Sequence, residues 1–167
     1  MKKNFLLIAC LLLPLLASAK TEKTGITPFM LCQIWDNHGG NLLENAGYSM
    51  VADKHYEIGF DIYYAKGCTV SELPSGRLSF KATVTNGYAS YVNFGATVGL
   101  CYYLSVTFLS KKGAKAFVSL LKKSGFRFAR KDLYDSGIIE NVWELPKSHW
   151  RVMQNGNTFY INDGPCA

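Results

Sequence analysis

The sequence predicts an α+β fold in which two helices pack on a mainly antiparallel sheet of about seven to nine strands. Three observations carry this expectation. Leu78, Phe80, Ala82 and Val84 alternate with Ser79, Lys81, Thr83 and Thr85, then meet Asn86 and Gly87, the favoured hairpin dipeptide. Leu100, Tyr102, Leu104, Val106 and Phe108 alternate again with Cys101, Tyr103, Ser105 and Thr107. After Ser110 the apolar period lengthens to that of a helix, with Ala114, Phe117, Val118, Leu120 and Leu121 on one side.

Taken in order, residues 1–19 stand apart from the fold. Lys2 and Lys3, an apolar stretch over 5–16, and Ala17, Ser18 and Ala19 have the layout of a secretory signal peptide. Cys10 follows Leu7, Ile8 and Ala9 in a loose lipobox. The apolar run continues past it, which favours cleavage after Ala19 over a lipoprotein at Cys10. Residues 20–167 are then one α+β domain, exported to the periplasm or secreted. No further apolar run approaches the ~18 residues of a membrane span. An integral membrane protein, a coiled coil, a collagen-like chain and a cytosolic enzyme are all disfavoured.

Thr27 and Pro28 are an N-cap followed by proline at the first helical position, and the helix they open should bury Phe29, Met30 and Ile34. His38, Gly39 and Gly40 break it. A second piece over 41–46 ends at Gly47, a left-handed C′ residue. Strands are expected at 48–52 and 56–64, a turn at 53–55 and a loop over 65–76. Beyond the 78–85 strand, its hairpin partner is expected at 88–94. Ser110 caps a helix over 111–123 that ends at Ser124 and Gly125. Strands follow at 126–130, 138–145, 150–154 and 158–161, with Asn155 and Gly156 as a second hairpin turn. Leu42, Leu43, Gly47, Tyr48 and Met50 match Leu120, Leu121, Gly125, Phe126 and Phe128 at an offset of 78 residues. The offset suggests a helix-plus-meander unit repeated over 27–95 and 100–167.

In an oxidising compartment Cys32, Cys68, Cys101 and Cys166 are expected to form two disulfides. Of three connectivities, Cys32–Cys68 with Cys101–Cys166 is preferred because it staples each half separately. No Cys-x-x-Cys pair supports a redox or zinc site. Gly-x-Ser-x-Gly, His-Glu-x-x-His and phosphate-binding glycine loops are absent from the sequence. His38, near Asp36, and His55, between Asp53 and Glu57, are candidate bases without ligand spacing for a metal. No catalytic residue, cofactor or metal is expected.

Charge is unevenly placed. The whole chain carries 18 Lys and Arg against 12 Asp and Glu. Eight of the basic residues lie between Lys111 and Lys131, with no acidic residue among them. Lys111, Lys112, Lys115, Lys122 and Lys123 fall on the helix side opposite the apolar stripe, and simple alternation sets Arg127 and Lys131 on one strand face. Helix and strand would thus share one basic surface, although a charged outer face is also ordinary solvation. Tyr64, Tyr91 and Tyr103, each in a tyrosine-rich strand, form a second candidate contact surface.

The expected function is that of an exported, disulfide-stabilised, non-enzymatic binding protein. In size and plan the chain is similar to small secreted inhibitors and periplasmic immunity-type proteins, without a shared motif. Its partner would be another protein or an anionic envelope component. Nucleic acid is disfavoured, because aromatic and basic residues are not interleaved as single-strand binders interleave them. The alternatives are a small envelope hydrolase using His38 or His55, and a structural or accessory envelope protein.

Overall fold

A computed structural model of the chain describes residues 24–37, 41–97, 101–133 and 137–162. The proposed signal peptide over 1–19 with Cys10, and also His38 and Cys166, lie outside the described residues. The chain is mostly β, which corrects the α+β expectation. Among the described residues ten strands hold more than twice as many residues as three helices, only one of which is long. Two changes tip the balance. The loop expected over 65–76 contains a strand, and the turn expected at 53–55 lies inside another.

Helix α1 (Pro28–Asn37) begins as its sequence requires: the Met30 N–H donates to Thr27 Oγ1 at 3.2 Å. It buries Leu31 and Ile34, whereas Phe29, expected in the core, is half exposed and leans on Phe126 at 6.4 Å. Helix α2 (Asn41–Asn45) is a single turn with Leu43 buried. Gly47, at φ +82, ends it and lets the Tyr48 N–H reach Leu43 O at 2.9 Å. Helix α3 (Lys111–Lys123) is capped by Ser110, whose Oγ accepts from the Gly113 N–H at 3.2 Å. It stops in the same way as α2: Gly125 has φ +89 and the Phe126 N–H donates to Leu121 O at 3.0 Å.

The strands are β1 (Ser49–Tyr56), β2 (Gly59–Lys66), β3 (Cys68–Glu72), β4 (Leu78–Ala82), β5 (Ser90–Thr97), β6 (Cys101–Phe108), β7 (Arg127–Leu133), β8 (Ile139–Glu144), β9 (Arg151–Asn155) and β10 (Thr158–Asn162). Eight of them form one antiparallel sheet in the order β1-β2-β5-β6-β10-β9-β8-β7, while β3 and β4 pair separately. Each half of the large sheet is a run of four strands entered from a helix. The halves join where β10 pairs with β6, from Thr158↔Thr107 to Ile161↔Leu104. The edge strands each carry one register shift, between Met50 and Ala52 in β1 and between Phe128 and Arg130 in β7.

The second hairpin forms, but β9 and β10 turn at Gly156 and Asn157, one residue later than the expected Asn155 and Gly156, because Asn155 pairs with Thr158. The first does not. Strand β4 pairs with β3 instead of returning through Asn86 and Gly87 to β5. Gly87 does take the left-handed conformation, at φ +82, but its carbonyl accepts the Ser110 hydroxyl at 2.6 Å. The turn is thereby tied to the N-terminus of α3, and β5 is left to pair with β2 and β6.

All three helices contribute to one core on one face of the large sheet. Its centre is a row of paired residues, Tyr64↔Val92↔Val106↔Phe159, with Val92, Val106 and Phe159 fully buried. Phe117 of α3 packs on Phe108 and Phe159, at ring separations of 5.5 and 4.8 Å. Gly113 brings the helix close, since a Cβ there would meet Phe108 Cδ1 at 2.8 Å.

Candidate functional site

Because side chains alternate along a strand, fixing the helix-covered face fixes the other. The opposite row crosses the sheet as Ala52↔Tyr63↔Asn93↔Ser105↔Tyr160↔Met153↔Val142↔Arg130. Tyr91 and Tyr103, two residues from members of this row on β5 and β6, share its face. Tyr64 belongs to the core row with Val92, which removes it from the expected contact surface. Tyr63 and Tyr160, which the sequence reading did not single out, belong on that surface instead. Strict period-2 counting from the buried Val92 would have found Tyr63 only with the pairing register in hand.

Among the described residues no helix lies on this second face, and this helix-free face has two ends. At the β1–β2–β5 end the small β3–β4 sheet folds over it. Phe80 stacks on Tyr91 with ring centroids 3.8 Å apart, and sits 6.1 Å from Tyr63. Lys54 clamps the small sheet from below, donating to Glu72 Oε1 at 2.9 Å and to Gly76 O at 2.6 Å. Toward the middle, Asp61 accepts from Asn93 Nδ2 at 3.0 Å and from the Tyr103 hydroxyl. Burial, followed by the hydrogen bond to Asp61 and its charge, pushes the Tyr103 phenol well above its ordinary value. Tyr160 is also raised, first by burial and then by the charge of Glu140. Both phenols therefore stay protonated at neutral pH; the half-buried Tyr103 and Tyr160 offer aromatic area, and the Tyr103 hydroxyl is held by Asp61.

The β7–β8–β9 end is charged. Arg130 pairs with Asp132 at 2.8 Å and with Glu144 at 3.2 Å, and Arg151 reaches the same Glu144 oxygen at 3.3 Å. Here the expected basic surface divides. Arg127 pairs across to Glu144 and Lys131 to Asn141, three residues apart on an unbroken strand, so they point to opposite faces. The register shift between Phe128 and Arg130 causes this, because one extra residue reverses the alternation that follows it. Lys111, Lys112, Lys115, Lys122 and Lys123 are all exposed on α3. Two of them also lie over rings, Lys112 at 5.1 Å from Tyr88 and Lys122 at 5.9 Å from Trp143.

Cys32 and Cys68 are free thiols, so the preferred Cys32–Cys68 bridge is not formed. Cys32 is buried in the core from α1, whereas Cys68 opens β3 with its Sγ 3.6 Å from Ser90 O. Burial, then the charge of Asp36, pushes the Cys32 thiol up to about 12, the reverse of what a nucleophile needs. Cys101 lies in β6, its side chain outside the described residues. His55 is in β1 rather than in a turn, exposed, with Nε2 3.0 Å from Asp53. Among the described residues no group of three or more His, Cys, Asp or Glu is placed to hold a metal ion, and no helix is long and apolar enough to cross a membrane. Comparison with protein-family models, curated proteins and solved structures finds no match to this chain.

Proposed function

We propose that the chain is an exported binding protein of inhibitor or immunity type that captures another protein on the helix-free face of its large sheet. One observation carries this: among the described residues no helix lies on the second face of the sheet, where Tyr103 and Tyr160 stand half-buried on the adjacent strands β6 and β10, next to Tyr63 and Tyr91 packed under Phe80. Tyrosine on a rigid sheet presents large amphipathic area at little cost in ordering, which is why recognition surfaces favour it. A hydrolase built on His55 has less support, since among the described residues this exposed imidazole on an edge strand has one carboxylate paired with it, Asp53, and the Phe60 ring beside it.

A second reading rests on the five exposed lysines of α3, which no acidic residue interrupts. An anionic envelope component would be held there by charge, with affinity falling steeply as salt rises. One experiment separates the two. The full chain, Tyr160→Ala and the pair Lys115→Glu with Lys122→Glu are compared as baits against the native envelope fraction, at low and moderate salt. Capture on the sheet face predicts a protein retained by the lysine variant and lost, by at least about tenfold, with Tyr160→Ala. Loss confined to the lysine variant transfers the site to α3. A partner held equally by all three baits removes both surfaces.

A further inference from the structure

A cavity of about 330 Å³ opens at the end of β7, β8 and β9, beneath the loop that joins the last two. Its volume is at the lower end of the range of ligand pockets. Its walls combine two chemistries. Phe128, Leu145 and Trp150 supply apolar surface, while Arg127, Lys147 and Arg151 supply cations. Glu144 is the one carboxylate in the lining, and two guanidiniums already hold it, those of Arg130 at 3.2 Å and Arg151 at 3.3 Å. Arg127 and Lys147 make no ion pair among the described residues. The cavity therefore keeps positive charge that its own carboxylate does not neutralise.

The loop itself is built at a cost. Leu145, Pro146, Lys147 and Ser148 form a turn closed by the Ser148 N–H donating to Leu145 O at 3.2 Å. Its third residue, Lys147, has φ 62, the only positive φ of a non-glycine residue among the described residues. Turns of this kind give that position to glycine or asparagine, because a Cβ is strained there. This strained backbone places a lysine at the rim of the cationic cavity. Ser148 Oγ accepts the Trp150 N–H at 3.0 Å, leaving its hydroxyl proton to donate, and the Leu145 N–H bonds to Trp150 O at 3.1 Å.

We propose that this cavity is a binding site for a small carboxylate carried on an apolar group. The carboxylate faces Arg127, Lys147 and the Ser148 hydroxyl, and the apolar body packs between Leu145 and Trp150. A guanidinium fork matches the planar carboxylate, and the apolar walls discriminate against a bare inorganic anion. This site is independent of the sheet-face reading and stands or falls without it.

The test is a titration of the isotope-labelled full chain with N-acetyl-L-leucine at fixed ionic strength, followed by amide and indole NMR shifts. Saturable shifts confined to 127–129, 144–151 and the Trp150 indole are expected, with Kd on the order of 1 mM. N-acetyl-L-leucinamide, which lacks the carboxylate, and inorganic phosphate, which lacks the apolar body, should each bind at least about tenfold more weakly. Lys147→Gly relieves the turn while removing the charge, so with Arg127→Gln it should leave the fold as stable or more so and weaken N-acetyl-L-leucine by about tenfold. No saturation, equal binding of the amide or of phosphate, or undiminished affinity in the folded double variant would each overturn the proposal.

Discussion

Cys32 and Tyr48 show how burial turns ordinary side chains into pH-dependent ones. Burial pushes both up to about 12, from ordinary values of 9.0 for the thiol and 10.0 for the phenol. Tyr48 donates to or accepts from Ser90 Oγ at 2.6 Å, in a site that also brings its hydroxyl within 3.4 Å of Thr24 O. Both groups bind their protons more tightly folded than unfolded, so deprotonation favours the unfolded chain. These two groups leave stability unchanged below pH 9 and lower it between pH 9 and about 12, first through Cys32 and from pH 10 through Tyr48 as well. Each group adds a slope approaching about 1.4 kcal/mol per pH unit. Urea unfolding midpoints from pH 8 to 11 read this directly, and Cys32→Ala should flatten the first part of the decline; a decline unchanged by that substitution would move its cause elsewhere. At this scale the sequence was legible where chemistry is local. Thr27, Gly47, Ser110 and Gly125 each do what their residue type does best. Cys32 and Cys68 misled, because a disulfide depends on distance and direction in space that four cysteines in a chain do not reveal.

At the scale of elements, the β3–β4 hairpin shows where pattern reading runs out. The alternation in β4 was plain, but its partner was not β5: residues 68–72 were hidden in a stretch read as loop because Gly67, Pro74 and Gly76 punctuate it. Gly87 took its left-handed bend without making a hairpin: the Tyr88 N–H that would close one donates to Asn86 Oδ1 at 2.9 Å, and the Gly87 carbonyl accepts from the Ser110 hydroxyl. A two-stranded sheet has little stability alone, so this one depends on what it touches. Phe80 against Tyr91 and Lys54 to Glu72 and Gly76 are its anchors. Phe80→Ala should therefore raise amide exchange across 68–82 by at least about tenfold and leave β5 and β6 protected. Equal protection of the hairpin in that variant would show that Lys54 alone suffices. The register shift in β7 is a second element-scale lesson: one added residue sent Arg127 and Lys131 to opposite faces, and no composition rule foretells a bulge.

For the whole molecule, the two halves resemble each other beyond the sequence match at offset 78. Leu43 and Leu121 are both fully buried, Gly47 and Gly125 both take positive φ, and the register shifts at Met50 and Phe128 keep the same spacing. Strand existence in the second half was legible almost throughout, whereas the neighbour relation of β6 and β10 was not, because pairing across some fifty residues leaves no local trace. Phe159 sits at that seam, 6.0 Å from Phe108 and 4.8 Å from Phe117, and belongs to the single core. Phe159→Ala should cost about 3–5 kcal/mol in urea unfolding, within one cooperative transition. Two separate transitions would instead mean that the halves hold themselves up independently. The position of β10 also orders events in time. Synthesis runs from the N-terminus, so β6 exists with a bare hydrogen-bonding edge for as long as it takes the chain to reach residue 158. The last of the ten strands in chain order is the one that closes the middle of the sheet. Until it arrives, the nascent protein carries an open edge at what will be its centre, where a stray strand from another chain has its best chance to bind.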